Sequence, residues 1–441
     1  MLTGDQYRAS IKDGRESYMD GELITDPATH QLLDSSVDWV AKTYDRLHKP
    51  AGTSAVFDIP KTAEELQAQM DLLLVSDTTA ASTAGVMALR SISAKLGGVN
   101  PEYQKRLNAF LDRVQEGDLR VANAQTDLGS GVRVVSRTAD GVVLRGGKQH
   151  VVGGAIVHEL LVVPAQGIKA DQTDKIIACA IPLNTKGLKL VSTTTAPRAE
   201  DDRHFPYSRD HSIPDSIVTF EDVFVPNDRI FLDGDAQFAG LLGDTIGIWD
   251  LARSTAQQAD QAEILLGLGR TIAEMNGVHD ASHIRDKLAI MAVYARLCRS
   301  GWEAALNHAT TDESGMLIPD QSFIYATRAY GVHQYSEMAG WVHDIGGALI
   351  LTAPTVADYE NEATHMYVEK YMSTGAKVRG EHRMKIFHLI RDLTAETYSG
   401  WAKLSNQMVG GGMFAQGLAA LDSYPMDDAQ HKAFEAAHIE S

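Results

Sequence analysis

The sequence predicts an α+β fold in which a central antiparallel β domain lies between an N-terminal helical domain and a C-terminal helical bundle. Apolar residues recur at helical spacing up to about residue 128, at alternate positions from 132 to 225, and at helical spacing again from about residue 245. Strands that follow one another without intervening helices favour an antiparallel barrel or sandwich over a doubly wound sheet. We therefore divide the chain into residues 1–128, 129–240 and 241–441.

The N-terminal segment, from residue 3 to about residue 128, is predicted to be helical. Thr62-Ala-Glu-Glu has the pattern of a capping box, and Leu66, Met70, Leu73 and Leu74 follow it at helical spacing. A second helix is predicted over residues 80–96, ended by Gly97-Gly98, and a third over residues 101–116. Amphipathic helices of this kind pack their apolar faces on a common core.

The central segment is predicted to form short strands. Asp140-Gly141 has the composition of a hairpin turn between VRVVSR and VVLRG, and ELLVV, IIACAIP, GLKLV and SIVTF supply further strands. The last strand is predicted within residues 220–232, FEDVFVPNDRIFL. It should end at Pro226, because proline has no N–H to give to a sheet, and lead directly into the helical half.

The C-terminal segment is predicted to be a bundle of long helices joined by short polar loops such as Asn276-Gly277. Two apolar faces recur at steps of three and four residues. They comprise Ile284, Leu288, Met291, Ala295, Cys298 and Trp302 in one helix and Ile386, Ile390, Leu393 and Thr397 in a later one. Such faces can pack within one subunit or between subunits.

Composition excludes several classes of partner. The 58 acidic and 40 basic residues give a net charge of −18, which disfavours nucleic acids and anionic membranes, since both reward basic patches. No apolar run reaches the ~18 residues of a membrane span, and the charged N-terminus has no apolar core of an export signal. The two cysteines, Cys179 and Cys298, are too few for a disulfide framework or a Cys-ligated cluster. We expect a protein of the reducing cytoplasm.

Several short motifs favour structural roles. Gly267-Leu-Gly269 lacks the third glycine of a dinucleotide fingerprint and lies in a helical pattern, so we assign it to helix packing. His279 and His283 have the spacing of two metal ligands on one helix face, but no third ligand accompanies them, so we predict no metal site. The sequence contains neither a Walker A motif nor a G-x-S-x-G elbow, which disfavours nucleotide hydrolysis and serine hydrolase chemistry.

Two glycine-rich segments are candidates for ligand contact. Residues 146–154, GGKQHVVGG, lie in the β domain, where glycines allow a flat ligand or another stretch of backbone to approach closely. Residues 410–412, GGG, follow a predicted helix and either cap it or present backbone N–H groups to a phosphate.

Five segments together resemble the 4-hydroxyphenylacetate 3-hydroxylase family. In chain order they are KDGRESYMDGE, RGGKQHVVGG, FEDVFVPNDRIFL, ASHIRDKLAIM and DIGGALILTAPTVADYENE. The resemblance covers nearly the whole chain and implies the acyl-CoA dehydrogenase-like architecture, usually assembled as a homotetramer. The family includes two-component monooxygenases, which receive reduced FAD from a separate NAD(P)H–flavin reductase, and 4-hydroxybutyryl-CoA dehydratase, which holds FAD and a [4Fe–4S] cluster.

The resemblance also carries site residues. The four ligands of the dehydratase cluster fall near Ser82, Val86, Val293 and Ser300, so no iron–sulfur cluster is expected. The arginine of the hydroxylase substrate motif falls on Arg90, while the substrate-binding histidine falls on Asn123 and a flavin-contacting threonine on Val152. The expected FAD contacts are Asn123, Gln125, Thr126, Gly129, Val152, Gly153, Gly410, Gly411 and Gly412.

These implications favour an FAD-dependent monooxygenase that uses O2 to hydroxylate an aromatic or similarly electron-rich small molecule. Arg90, His150 and Asn123 are the predicted catalytic residues, with Arg90 binding an anionic oxygen of the substrate and His150 acting as an acid–base group. A surface ion pair for Arg90 and a structural hydrogen bond for His150 remain open. The alternatives are a non-oxygenating FAD-dependent isomerase, dehydratase-like lyase or dehydrogenase, and a catalytically silent flavin-binding or assembly protein.

Overall fold

The structure, a computed structural model, describes residues 1–49, 51–73, 77–199, 201–374 and 378–439, with all of their side chains except those of residues 73–81. The N-terminal helices are α1 (Gly4–Ser10), α2 (Asp34–Leu47), α3 (Ala63–Leu73), α4 (Asp77–Val99) and α5 (Pro101–Glu116). The prediction for α5 is confirmed. The Asn100 side chain accepts a hydrogen bond of 3.0 Å from the N–H of Glu102, and Pro101 occupies the first turn.

The predicted start of α3 was partly right, and the predicted end of α4 was not. Thr62 caps α3 by accepting the N–H of Glu65 at 3.2 Å, but the Glu65 carboxylate accepts the N–H of Lys61. Leu74 lies outside the described residues. The predicted stop at Gly97-Gly98 is wrong, because α4 continues to Val99. A Cβ on Gly97 would collide with the Gln104 side chain, so this glycine permits the close packing of α4 on α5.

Three strands lie in the segment that the sequence analysis predicted to be helical. They are β1 (Glu16–Met19), β2 (Glu22–Leu23) and β3 (Val121–Ala124). Strand β1 pairs with a strand more than 160 residues further along the chain, a partner that no local pattern indicates. The division at residues 128/129 and 240/241 stays a prediction.

The β domain contains two sheets. Its further strands are β4 (Arg133–Arg137), β5 (Gly141–Val152), β6 (Glu159–Val162), β7 (Ile177–Pro182), β8 (Leu188–Thr193), β9 (Asp215–Pro226) and β10 (Ile230–Asp233). One sheet has the order β2-β1-β8-β9-β5-β4 and the other β10-β7-β6-β3. The predicted β4–β5 hairpin is confirmed. The prediction of an antiparallel domain is wrong for two pairs, β1 with β8 and β3 with β6, which are parallel. Parallel pairing is possible here because a long connection, and not a hairpin, joins the two strands of each pair.

Pro226 ends β9 as predicted, but β9 is not the last strand of the domain. A single helical turn over Asn227–Arg229 is followed by β10, which pairs with β7 in the other sheet. The segment around Pro226 therefore transfers the chain from one sheet to the other before the helical half begins.

The C-terminal half is helical, as predicted, apart from a short hairpin of β11 (Thr310–Thr311) and β12 (Leu317–Ile318). The short helix α6 (Ser208–His211) lies earlier in the chain, within the β domain. The principal helices of the C-terminal half are α7 (Leu241–Met275), α8 (Ser282–Asn307), α9 (Gln321–Gly346) and α13 (Gly380–Thr394). The remaining ones are α10 (Leu349–Thr352), α11 (Val356–Glu360), α12 (His365–Met372), α14 (Thr397–Met408), α15 (Gly412–Asp422) and α16 (Met426–Ala436).

The predicted apolar face of α8 is confirmed as part of the core, apart from Leu288, which is half-buried. The face predicted from Ile386 to Thr397 is interrupted, because α13 ends at Thr394 and Thr397 is exposed at the start of α14.

Helices α4 and α7 are central to the molecule. Their buried side chains share one apolar cluster with residues of β3, β6 and β7, so the two helices lie against the second sheet. None of the helices in the described ranges is long and apolar enough to cross a membrane.

Candidate functional site

Lys148 on β5 anchors residues 125–131, the segment that follows β3 and is called the β3 extension. Its side chain is 2% exposed, and its Nζ donates to the carbonyl oxygens of Gln125 at 2.8 Å and Val163 at 2.9 Å. The same Nζ lies 2.7 Å from Oδ1 of Asp127. Burial lowers the pKa of Lys148, whereas Asp127 opposes that shift. One buried ammonium group therefore holds the β3 extension, the end of β6 and β5 in register.

The glycines of the GGKQHVVGG segment allow another stretch of backbone to approach. The N–H of Gln149 donates to the carbonyl of Thr126 at 2.9 Å, and the N–H of Leu128 donates to the carbonyl of Gly147 at 3.0 Å. Gly146 has a φ of 130°, and a Cβ there would collide with the backbone around residue 131. At residues 146 and 147 the contacts therefore favour the approach of another stretch of backbone over the approach of a flat ligand.

His150 lies beside Asp215 at one edge of the larger sheet. His150 has a φ of 59° in a bulge of β5, and its side chain is 69% exposed, with Nδ1 at 3.8 Å from Oδ2 of Asp215. Burial raises the pKa of Asp215, and His150 opposes this shift. Val152 pairs with Asp215 in the sheet, and Gly153 follows with a φ of 77°. His150, Val152 and Gly153 are near neighbours in the chain, and their roles in a site stay predictions.

Asn123 and Gln125 project towards the two central helices. A Cβ on Gly85 of α4 would collide with Oδ1 of Asn123, and a Cβ on Gly243 of α7 would collide with Nε2 of Gln125. Both amides are half-buried. Further along α7, a Cβ on Gly247 would meet no atom within 4 Å. These contacts pack the segment after β3 against α4 and α7, and the half-buried Gly247 on the same side of α7 borders open space.

The glycines at residues 410–412 lie at the other end of the same stretch of α7. Their φ values are 78°, 88° and 88°, and they connect α14 to α15. A Cβ on Gly410 would lie 3.2 Å from Cδ2 of Leu251. Leu251 is eight residues beyond Gly243, or ~12 Å along the helix axis. Helix α7 therefore runs from the segment after β3, at Gly243, to residues 410–412, at Leu251.

Buried side chains cap the end of α14 before these glycines. Nε2 of Gln416 donates to the carbonyl of Val409 at 2.6 Å, and Nη2 of Arg328 donates to the carbonyl of Asn406 at 2.8 Å. A cation is favourable at this negative end of the helix. These contacts agree with the interpretation of residues 410–412 as the loop that ends α14. The contact of residues 410–412 with a cofactor stays a prediction.

The Arg90 side chain points towards α5. Its Nη2 donates to Oε1 of Gln115 on α5 at 2.8 Å, and burial lowers the pKa of the half-buried guanidinium. Arg90 is about 140° around α4 from Gly85, at ~100° per residue. Ser82 exchanges hydrogen bonds of 2.8 and 3.0 Å with the backbone of Val121, so it faces β3. The substrate role of Arg90 stays a prediction.

The packing role assigned to Gly267-Leu-Gly269 agrees with the contacts of Gly269. A Cβ on Gly269 would lie 3.3 Å from side-chain atoms of α8, which identifies helix packing. His279 is exposed with Nε2 at 3.4 Å from Oδ2 of Asp280. The described residues include no group of three His, Cys, Asp or Glu side chains placed to hold a metal ion.

Three residues of the candidate site were not predicted from the sequence, namely Lys148 on β5 and Gly247 and Asp250 on α7. Asp250 is half-buried on α7, and its burial raises the pKa of the carboxyl group to about 6, against the opposing charge of Arg253. The spacing of Gly243 and Gly247, four residues apart before Trp249, was an available signal, because it gives a helix a flat strip on one face. No sequence pattern indicated the burial of Lys148 or Asp250.

Comparison with known proteins gives matches over nearly the whole chain. Residues 3–232 match the family model described as 4-hydroxyphenylacetate 3-hydroxylase N terminal, and residues 246–438 match the corresponding C-terminal model. The 4-hydroxyphenylacetate 3-monooxygenase oxygenase component of Geobacillus sp. (strain PA-9) is 24% identical over 464 residues, covering 96% of this chain and 93% of that protein.

A second relative has a different activity. The 4-hydroxybutyryl-CoA dehydratase/vinylacetyl-CoA-Δ-isomerase of Clostridium aminobutyricum is 22% identical and covers 89% of this chain and 90% of its own. Among solved structures, the oxygenase component of 4-hydroxyphenylacetate 3-monooxygenase complexed with FAD has a TM-score of 0.88 at 23% identity, with 98% of each chain covered. The predicted α+β, acyl-CoA dehydrogenase-like fold is confirmed.

Proposed function

Since the chain belongs to the 4-hydroxyphenylacetate 3-hydroxylase family, we propose that it is the oxygenase of a two-component FAD-dependent monooxygenase. Its substrate would be an aromatic or similarly electron-rich small molecule, hydroxylated with O2 and reduced FAD. The words "oxygenase component" in the name of the Geobacillus relative support a separate component, here an NAD(P)H–flavin reductase. We place this chemistry in a reducing cytoplasm.

The observation that carries the proposal is the open space beside the half-buried Gly247 on α7. Gly247 borders open space that a side chain would fill, and the amides of Asn123 and Gln125 lie at one end of it. This arrangement fits FAD, because a flat ring needs a flat wall and polar groups at its edge. Asn123, Gln125, Thr126 and Gly129 would bind FAD from one side, with Val152 and Gly153 next to them and residues 410–412 at the far end.

FAD would supply the activation of O2 when bound in its reduced form. The chain itself would bind the substrate, orient it and exclude water. Arg90 would bind an anionic oxygen of the substrate, and Asn123, whose amide cannot take up a proton at neutral pH, would donate or accept hydrogen bonds. His150, exposed beside Asp215, would exchange protons at the mouth of the site.

A second candidate is a non-oxygenating FAD-dependent isomerase, lyase or dehydrogenase, favoured by the dehydratase relative. The positions that the resemblance gives to the cluster ligands argue against dehydration through a cluster. The Ser82 hydroxyl is bonded to the backbone of Val121, and Val86 is 1% exposed in the apolar core. Neither side chain offers the thiolate that holds such a cluster.

We further propose that the chain assembles as a homotetramer or homodimer. Large apolar side chains are exposed together on α14 and α15, including Leu404 and Met408 at 61% and 67% and Phe414 at 80% exposure. Contiguous exposed apolar side chains of this kind mark subunit interfaces. Sedimentation of the purified protein would test the assembly, and a monomer at micromolar concentration would contradict it.

The decisive experiment is FAD binding to Gly247→Leu. Leucine is a good helix former, so the fold should be retained, whereas its side chain would enter the open space and weaken FAD binding at least ~10-fold. Gly267→Leu, at an exposed glycine of the same helix that also has no neighbour within 4 Å, is the matched control. Equal FAD affinity in the two variants would remove the Gly247 face of α7 from the cofactor site.

Oxygen transfer separates the two candidate functions. A monooxygenase should couple the oxidation of reduced FAD by O2 to incorporation of one oxygen atom into a phenolic substrate, detected by mass. If FAD binds but no phenol gains oxygen, the non-oxygenating candidate is favoured. If FAD binds in neither redox state, the third alternative, a catalytically silent assembly protein, is favoured.

A further inference from the structure

Asp250 is an acidic side chain on the Gly247 face of α7, and it has no role in the function proposed above. It is half-buried on α7, and the described part of the chain offers its carboxyl group no hydrogen bond or ion pair. An ionised carboxylate that is withdrawn from water without donors is costly. Such a group is retained at a structural cost, which makes it a candidate for direct chemistry.

The geometry of α7 places Asp250 on the same face as Gly243 and Gly247. At ~100° per residue, Gly247 and Asp250 lie within about 40° of Gly243 around the helix axis. Gly243 is the glycine that lies against Gln125, and Gly247 is the one that borders open space. Leu251, directly after Asp250, lies beside Gly410. Asp250 therefore belongs to the wall between the two segments expected to bind FAD.

The other titratable groups around the β3 extension are occupied or lie elsewhere. Lys148 is buried among three oxygen acceptors, and Asp127 is paired with it at 2.7 Å. His150 is exposed at the edge of the larger sheet. Asn123, which stands where the resemblance implies a histidine, has no proton-accepting side chain at neutral pH. Within the described residues, Asp250 is thus the available base on the α7 wall.

The electrostatic environment suits proton exchange close to neutral pH. Burial raises the pKa of Asp250 to about 6, and the charge of Arg253, one turn further along α7, opposes this shift. Arg253 is the charged group that acts on Asp250 in the described part of the chain. The carboxylate therefore predominates at pH 7 and still binds a proton readily.

We propose that Asp250 is the general base that accepts the proton of the substrate's phenolic hydroxyl group. The O–H bond breaks, the carboxylate takes the proton, and the electron pair stays on the phenolate, whose ring becomes the better nucleophile. The neutral acid then returns its proton to water after product release. This inference rests on the proposed function and makes a phenol, rather than a carboxylic acid or an aliphatic alcohol, the substrate class.

The first test uses binding without turnover. 4-Nitrophenol is added to the FAD-loaded enzyme with the flavin oxidised, and its phenol and phenolate forms are distinguished by absorbance. At pH 7 to 8 the carboxylate of Asp250 should hold the bound probe as the neutral phenol, which donates to it and avoids charge repulsion. In Asp250→Asn the bound probe should shift towards phenolate.

The second test uses turnover of 4-methylphenol, whose hydroxyl group stays protonated in water at pH 7 to 8 and therefore needs a base. Asp250→Asn should lower kcat about 100-fold or more and remove the acid limb near pH 6 from the pH profile, with FAD affinity within about twofold of the parent. Asp260→Asn is the matched control, since Asp260 lies on the same helix but is paired with Arg299. It should retain the probe spectrum, the pH profile and kcat.

The outcomes separate the inference from the proposed function. An unchanged probe spectrum in Asp250→Asn, or an unchanged acid limb, overturns the role of Asp250 even if the enzyme hydroxylates phenols. Loss of FAD binding in Asp250→Asn also overturns it, because the residue would then serve the cofactor. If the parent enzyme binds FAD but neither 4-nitrophenol nor any other phenol, the inference fails, while the proposed function stands for another electron-rich substrate. If the parent enzyme binds no FAD in either redox state, the proposed function fails and the inference fails with it.

Discussion

Replacing Lys148 by methionine should loosen the segment that carries the expected FAD contacts. The variant keeps the apolar stem but removes the ammonium group, which leaves the carbonyls of Gln125 and Val163 without their donor and Asp127 without its partner. Each buried acceptor left unsatisfied costs ~1–3 kcal/mol. Burying the ammonium group of Lys148 is itself unfavourable, as its lowered pKa shows, so removing this group offsets part of the cost. We expect a net local loss of about 3 kcal/mol.

This loss should appear as weaker cofactor binding. If FAD must restore the order of residues 125–128, about 3 kcal/mol corresponds to a ~100-fold higher Kd. FAD titration measures the affinity, and hydrogen exchange of the amides at residues 126–131 reports the local order. Lys169→Met, at an exposed lysine of the same β domain, is the control and should leave both unchanged. Parental Kd and parental exchange in Lys148→Met would refute the anchoring role.

Two further predictions concern stability in acid and substrate binding. The Nδ1 of His158 accepts the N–H of Arg120 at 2.9 Å, and burial lowers the pKa of His158 from 6.5 to about 3. The unfolded chain therefore binds the extra proton first, so this contribution to stability is complete above pH 6.5 and is lost towards pH 3, by at most ~1.4 kcal/mol per pH unit. His158→Gln should reduce the fall in melting temperature between pH 7 and 5, whereas His279→Gln should not; equal falls would contradict this. Arg90→Met should weaken substrate binding ~10- to 100-fold while FAD affinity stays unchanged, and full activity would assign Arg90 to packing against Gln115.

Local signals in the sequence were sufficient for several elements. Helix α5 begins at Pro101 because Asn100 caps it and ends at Glu116 before Gly117, and these contacts lie within three residues of each end. The β4–β5 hairpin follows from the turn at Asp140-Gly141. The apolar face of α8 follows from periodicity. In each case the determining interactions are short in sequence, so a window of the chain contains them.

The pairing of distant strands was decided only by the tertiary structure. Strand β1 joins β8 in parallel, and β10 continues the sheet domain after Pro226, because each finds its partner across a long separation in sequence. Neither direction nor partner is encoded by alternation of apolar residues, which is the same for every half-buried strand.

The candidate site divides in the same way. Resemblance and glycine content selected Asn123, Gln125 and residues 410–412, and the structure shows that α7 connects them through Gly243 and Leu251. The burial of Lys148 and the raised pKa of Asp250 depend on groups packed from other elements, and the direction of Arg90 depends on Gln115 of α5. The sequence by itself determined which residue types and which local elements are present. Burial, charge environment and facing partners arise only when distant segments meet, and so the tertiary structure alone decided them.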